Sequence, residues 1–313
     1  MFLQIMNKLN LFTKIYAKLH NYPYIPYWFL TPPRKLVRSM ADKVLPSYLS
    51  KKYEGRRIKD VPVIVSLTSF PARINDVWQV VECMRRQTYK PSKMLLWLSK
   101  EQFPTSDSVP ESLKSREDSF FEIRFVEGDI RSHKKYYYVL TEYPDSLVFL
   151  IDDDLYYSTD IIERSLVEHE KHPDSIICNY GFHITYVRDG KIQPYNAWKR
   201  AYKYSYKDDL FFGSGGGTLL KLGMLYEDVR NVELARNLTP IADDIWLNAM
   251  ARLAKIPMIL LDNGNLLPIR IKDNIKLATE NMRQCKNDEQ INDVTLYYFS
   301  KSGVNPFSRS NNE

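Results

Sequence analysis

Leu147–Ile151 (LVFLI) runs directly into Asp152-Asp153-Asp154, five apolar residues followed by three carboxylates. A run this apolar and this short reads as a strand buried on both faces. Val61–Leu67 (VPVIVSL) and Met94–Leu98 (MLLWL) are of the same kind, and Phe120–Val126 alternates as a strand. Between the first two of these, Asn75 or Asp76 can cap a helix whose face is Val77, Val80, Val81 and Met84. That helix runs to about Arg86 and is stopped by Tyr89-Lys90-Pro91. Arg131–Glu142 reads as a further helix. The order strand, helix, strand, loop, strand, helix, strand predicts an α/β fold, with a parallel, doubly wound sheet over residues 60–160 and right-handed connections. Ligands of such sheets sit at the carboxyl ends of the strands, where the three aspartates are.

Past residue 160 the pattern is less regular. It places a helix near 160–171, a strand near 175–187, a turn at Asp189-Gly190, a glycine loop at 213–217, a helix over about 243–254 and a strand at 256–262. Residues 280–313 turn polar and read as a loose tail. With 44% hydrophobic residues, 11 Gly and 17 Pro, the chain is neither disordered throughout nor low in complexity. Its three cysteines, Cys83, Cys178 and Cys285, form no C-x-x-C pair, which argues against structural zinc and for a reducing, cytoplasmic compartment. There the sequon Asn237-Leu238-Thr239 carries no meaning.

The net charge of +6 hides an asymmetry. Residues 1–59 hold twelve Lys/Arg against two acids, a net of +10, which leaves −4 on the other 254 residues. In this arm Phe2, Ile5, Leu9, Phe12, Tyr16 and Leu19 fall on one helical face, with Lys14 and Lys18 opposite. Tyr22, Tyr24, Tyr27, Trp28 and Phe29 follow. The longest uncharged stretch, 19–33, contains four prolines, and a span needs about 20 apolar residues. The arm therefore reads as a basic amphipathic, helical element. It would lie either on an anionic membrane surface, at the inner face of the cell membrane, or on the domain's own body. Nucleic acid is disfavoured as a partner because the body is acidic and carries no recognised motif.

In an extended segment Asp152 and Asp154 point to one side, and hard oxygen ligands at that spacing suit Mn²⁺ or Mg²⁺, which bind diphosphate oxygens in turn. The alternative is a solvated acidic turn capping a helix that starts at Ser158 or Asp160. Asp243-Asp244 opens a helix; one acid suffices as a cap and is assigned to Asp243, which leaves Asp244 for general-base work. Gly213–Gly217 (GSGGG) lets backbone approach a ligand closely, but it matches neither a P-loop nor a dinucleotide fingerprint.

Val63–Ser69 (VIVSLTS) and Glu82–Leu98 (ECMRRQTYKPSKMLLWL) resemble the opening of bacterial family-2-like glycosyltransferases with the GT-A fold. Asp152–Asp154 is similar to their DxD motif, Gly213–Gly217 to their glycine loop, and Ala242–Leu247 (ADDIWL) to their Glu-Asp motif with Asp in first place. These elements stand in the family's order over residues 61–262. The resemblance implies a Rossmann-like mixed sheet flanked by helices, with a single GT-A catalytic domain over 60–279 whose nucleotide-sugar half is 60–160 and acceptor half 161–279. It implies a polysaccharide-building, hexosyl- or N-acetylhexosaminyl-transferring enzyme that is metal-assisted and inverting. The donor would be a nucleotide-diphosphate sugar, a UDP-sugar favoured, and the acceptor a glycan or lipid-linked hydroxyl. Asp154 would bind the metal, Asp152 the metal or ribose, and Asp153 would serve the donor side. Thr68, Ser69 and Arg73 would lie near the nucleotide, Lys134 or Lys135 near the diphosphate or sugar, and Gly215 and Gly216 near the donor. Trp198 would stack on a sugar ring or belong to the core, and Asp244 would deprotonate the acceptor. Rival readings on the same fold are an idle nucleotide-sugar-binding scaffold and a nucleotidyltransferase. Two departures stand out: Leu98 is followed by Ser99-Lys100-Glu101 rather than an Asp-containing, uracil-reading turn, and no histidine follows His183.

Overall fold

The computed structural model describes residues 7–20, 27–53, 58–201, 204–205, 208–262, 268–272 and 286–309. Phe2, Ile5, Tyr22, Tyr24 and Cys285 lie outside them, as does the side chain of Tyr27. The chain opens with α1 (Lys8–His20) and α2 (Tyr27–Leu49). There follow β1 (Lys59–Thr68), α3 (Val77–Arg85), β2 (Tyr89–Ser99), the single turn α4 (Glu111–Lys114), β3 (Phe121–Val126), α5 (Lys134–Glu142) and β4 (Leu147–Ile151). β5 (Leu155–Tyr156), α6 (Ile161–Lys171), β6 (Ile176–Cys178), β7 (Gly181–His183), β8 (Lys199–Ala201), β9 (Leu210–Phe212) and β10 (Gly216–Leu220) come next. The last elements are α7 (Val232–Leu238), α8 (Asp243–Leu253), β11 (Met258–Leu260), β12 (Ile269–Arg270) and α9 (Lys286–Ser302).

Seven strands form the central sheet in the order β11-β6-β10-β4-β1-β2-β3. β4, β1, β2 and β3 are mutually parallel. β10 inserts antiparallel between β4 and β6, which makes the sheet mixed. The fold is a Rossmann-like α/β sheet covered on both faces. The pleat shows why the strands are apolar throughout: Val63, Val65 and Leu67 of β1, with Phe149 and Ile151 of β4, enter the core on the side of α1, α2 and α3. Ile64 of β1, with Val148 and Leu150 of β4, enters the core under α5 and α8. Successive side chains of one strand thus fill two cores.

Two sequence expectations are corrected here, and one left open is decided. The predicted strand at 175–187 is two strands, because Asn179 leaves the ladder and its amide donates to Ser165 Oγ and Gly217 O, both at 2.9 Å. β7 then joins a second sheet, β8-β7-β9. The polar tail is largely the helix α9, whose Ile291, Val294 and Tyr298 are buried, as is Phe307 beyond it. Polarity misled because most of that helix is polar and its buried residues form a single stripe. In the arm, α1 packs on the body: Leu9 and Phe12 join Ala41, Leu45 and Leu49 of α2 in the core beside β1. Asn10 Oδ1 accepts from the Thr159 N–H at 2.9 Å, tying α1 to the loop beyond the aspartates. No helix among the described residues is long and apolar enough to cross a membrane.

Candidate active site

β4 ends at the centre of the sheet, between β1 and β10, and delivers the three aspartates into a turn rather than an extended run. Alternation therefore does not govern them: Asp152 meets a lysine, while Asp153 and Asp154 share an arginine. Asp152, the most exposed, receives Lys135 Nζ at 2.8 Å. Asp153 is buried and accepts from Ser69 Oγ at 2.6 Å and Arg73 Nη1 at 2.9 Å. Asp154 lies 3.1 Å from Arg73 Nη1 and 3.5 Å from Arg270 Nε. Ser69 and Arg73 follow β1, so the turn after the first strand fastens the triplet. Thr68, half-buried at the end of β1, donates to Trp97 O at 2.8 Å and so braces that turn against β2.

Burial pushes the carboxyl of Asp153 up, and Arg73 and Ser69 offset this only in part. Burial, and then the neighbouring charge of Asp152, push Asp154 up to about 6. Two carboxylates that repel one another at a strand's C-terminal end form a hard-oxygen donor set that fits Mn²⁺ or Mg²⁺ shared with diphosphate oxygens. Asp152 and Asp154 are the residues that would hold it. Among the described residues no three His, Cys, Asp or Glu side chains converge on one point.

A second acidic pair, Asp243–Asp244, meets the first through Lys135. Asp243 is buried at the start of α8, and it does not cap the helix as the sequence suggests: the capping position carries no side-chain bond. Its carboxylate instead accepts from Ser214 Oγ at 2.7 Å and pairs with Lys135 Nζ at 3.2 Å. Burial alone would raise it, but Lys135 and His133 outweigh burial and hold it below the usual range. Asp244, half-buried, accepts from the Ser214 N–H at 2.8 Å. Burial first, then the charge of Asp243, push it up to about 7. Lys135 thus joins the two acidic groups. Burial would lower its pKa, yet Asp152, Asp243 and Asp244 hold it above the ordinary lysine value.

The glycine loop explains its own composition at Gly215. A Cβ there would sit 1.8 Å from Asp152 Cγ, so any larger residue would have to displace the carboxylate from its place beside Lys135. Gly215 O accepts from Asp152 N–H at 3.1 Å and from Tyr157 OH at 2.5 Å. Gly216 packs against Tyr180 in the same way. Two open alternatives are decided. Lys134 is buried and pairs with Asp129, one residue out of phase with Lys135, so it does not reach the acidic groups. Trp198 is a core residue, 7% exposed, packed on Tyr195 and Phe211, with its indole N–H on Gln193 O at 2.9 Å.

Sequence reading missed Arg270 and Lys272. They arrive from β12 and the residue pair beyond it, because β12 pairs with β5 directly after the triplet. Ile271 N–H donates to Asp154 O at 2.7 Å. A small pocket beside the triplet is lined by Ala72, Arg73, Asp76, Asp153, Asp154, Ile271 and Lys272. No local sequence signal marks that distant pairing. Gln87 was read only as part of a motif; its amide bonds Ser158 O at 2.8 Å and Cys83 O at 3.2 Å, locking the end of α3 to the loop after the triplet.

No protein-family model matches the chain. No curated protein matches it either. Among solved structures, the mannosyltransferase PcManGT from Pyrobaculum calidifontis, in complex with GDP-Man and Mn²⁺, matches with a TM-score of 0.47 at 12% identity, covering 96% of this chain and 78% of that one.

Proposed function

We propose that the protein is a glycosyltransferase that moves a sugar from a nucleotide-diphosphate sugar to an acceptor hydroxyl with inversion at the anomeric carbon. The observation that carries the reading is the pair of acidic groups, Asp152–Asp154 and Asp243–Asp244, set against one lysine at the carboxyl edge of a Rossmann-like sheet. Their environments push them apart: Asp243 is held ionised by Lys135, while Asp244 is raised to about 7. A carboxylate near neutrality takes a proton well at physiological pH. Asp244 accepts the acceptor hydroxyl's proton as the oxygen attacks. The Ser214 N–H holds its carboxylate in place, while the charge of Asp243 raises its proton affinity and that of Lys135 lowers it. Arg73 and Arg270, with Lys272 at the pocket's edge, supply positive charge beside the departing diphosphate. A Mn²⁺ or Mg²⁺ ion held by Asp152 and Asp154 would offset further charge on that leaving group.

The donor is a nucleoside diphosphate sugar, and a UDP-sugar is the first to try. The acceptor is a growing cell-surface glycan or its lipid-linked precursor. The decisive experiment is thermal unfolding with UDP, GDP, CDP and their sugars, each with Mn²⁺ and with EDTA, followed by product analysis. A ligand at 100 times its Kd adds about 2.7 kcal/mol of stability. Stabilisation by one nucleotide family and release of the nucleoside diphosphate support transfer. Pyrophosphate release would make the protein a nucleotidyltransferase, and no stabilisation at all would leave the triplet a structural turn.

A further inference from the structure

α2 has two apolar faces and the fold uses one. Leu30, Ala41, Leu45 and Leu49 are buried. On the opposite side Trp28, Phe29, Leu36 and Met40 are 67%, 55%, 61% and 48% exposed. At 100° per residue these four, with the exposed Pro32, Lys35, Ser39 and Lys43, share one sector of about 140°. The Trp28 and Phe29 rings stack with centroids 3.6 Å apart, so two aromatics stand out as one slab at the start of the helix.

We infer that this face of α2 is a docking surface for an anionic lipid bilayer, with Trp28, Phe29, Leu36 and Met40 entering the interface and Lys35 and Lys43 meeting lipid phosphates. Charge selects the occupant. Residues 1–59 carry a net +10 against −4 for the rest of the chain, and α1 adds the exposed Lys14 and Lys18 beside α2. An aromatic-rich apolar stripe edged by lysines is the chemistry of an interfacial helix. The sequence pattern leaves the apolar side of α1 to either a membrane or the body; the structure gives it to the core and leaves the outer apolar side of α2 open. The surface also adjoins the candidate site. Asp42, between Met40 and Lys43, accepts from the Lys272 N–H at 3.2 Å, and Lys272 lines the pocket beside Asp153 and Asp154. A bilayer-bound chain would hold that pocket next to the lipid headgroups, which suits a lipid-linked acceptor.

The test is flotation of the full chain with phosphatidylcholine vesicles, with and without phosphatidylglycerol. Binding is expected only to the anionic vesicles and should weaken as salt is raised. Trp28→Ser/Phe29→Ser and Leu36→Ser/Met40→Ser should each weaken it roughly tenfold or more, given the apolar area withdrawn. Leu296→Ser/Phe299→Ser, an exposed apolar pair on α9, should not. Brominated lipid should quench the fluorescence of the native chain more than that of Trp28→Phe. Because the substituted residues are exposed, unfolding temperature and stabilisation by nucleotide should be unchanged. That second readout stands without lipid, so failure of the docking surface and failure of the transferase reading are separable. Binding that is indifferent to the apolar substitutions would overturn the proposal, as would the absence of binding to anionic vesicles. Concentration-dependent dimerisation lost in Trp28→Ser/Phe29→Ser, without vesicle binding, would assign the face to a second copy of the chain.

Discussion

At the scale of single residues, the site works by unequal treatment of like groups. Asp243 and Asp244 are adjacent, yet Lys135 and His133 keep one ionised while burial and that neighbour's charge raise the other. Asp244→Asn should lower turnover by about 10²–10⁴-fold, the usual contribution of a general base, and leave nucleotide binding intact by calorimetry. The same substitution has a signed effect on stability. The folded-state pKa of Asp244 is raised, so its proton-bound form stabilises the fold below the unfolded carboxylate value near 4, and this is lost as pH rises through about 7. Asn cannot ionise. Asp244→Asn should therefore raise the unfolding temperature at pH 8 more than at pH 5; the opposite order would show that Asp244 is not held protonated by its surroundings. Asp154→Ala, by contrast, should remove the metal-dependent part of nucleotide stabilisation, and the same thermal comparison with Mn²⁺ and EDTA reads it.

At the scale of elements, the glycine loop and α9 make opposite points. Gly215 is required by contact and not by flexibility. Gly215→Ala would force a methyl into Asp152, and overpacking of this kind costs about 1–3 kcal/mol. Thermal unfolding should show the loss, together with weaker nucleotide stabilisation; an unchanged unfolding curve would mean that the loop moves aside. α9 is structural. Ile291 and Val294 are 4% and 0% exposed, and Tyr298 OH donates to Asp228 Oδ2 at 2.8 Å. Ile291→Ala should cost about 2–5 kcal/mol in denaturant unfolding. A loose tail would show no change.

At the scale of the molecule, one sheet separates two cores, and the N-terminal arm is built into the first of them. Leu9 is fully buried with Leu45 and Leu49, so Leu9→Ala should cost about 2–5 kcal/mol even though it lies outside residues 60–279. An arm that served only as a peripheral anchor would show no such loss. The arm packs through α1 and the inner side of α2 and leaves the outer side of α2 exposed.

The four parallel strands, the helices between them and the position of the triplet were legible in the sequence. Strands buried on both faces leave unbroken apolar runs, and five apolar residues ending in three acids mark a strand's exit from the core. Asp243-Asp244 was legible as an acidic pair opening a helix, but the capping argument that told the two apart fails, because Asp243 turns to Ser214 and Lys135. What the sequence did not hold was which partner each polar group meets. Lys134 and Lys135 look alike in the chain, and a rotation of one residue on α5 sends one to Asp129 and the other to Asp152. Trp198 could stack on a sugar or fill a core, and only the arrival of Phe211 and Tyr195 decides it. Arg270 reaches Asp154 across more than a hundred residues through the pairing of β12 with β5, and the apolar stripe of α2 is exposed only because α1 covers the other side. Periodicity reports whether a side chain leaves water, since that is a property of one segment. Which buried or charged neighbour it finds depends on several segments meeting, and that is settled only when the chain folds.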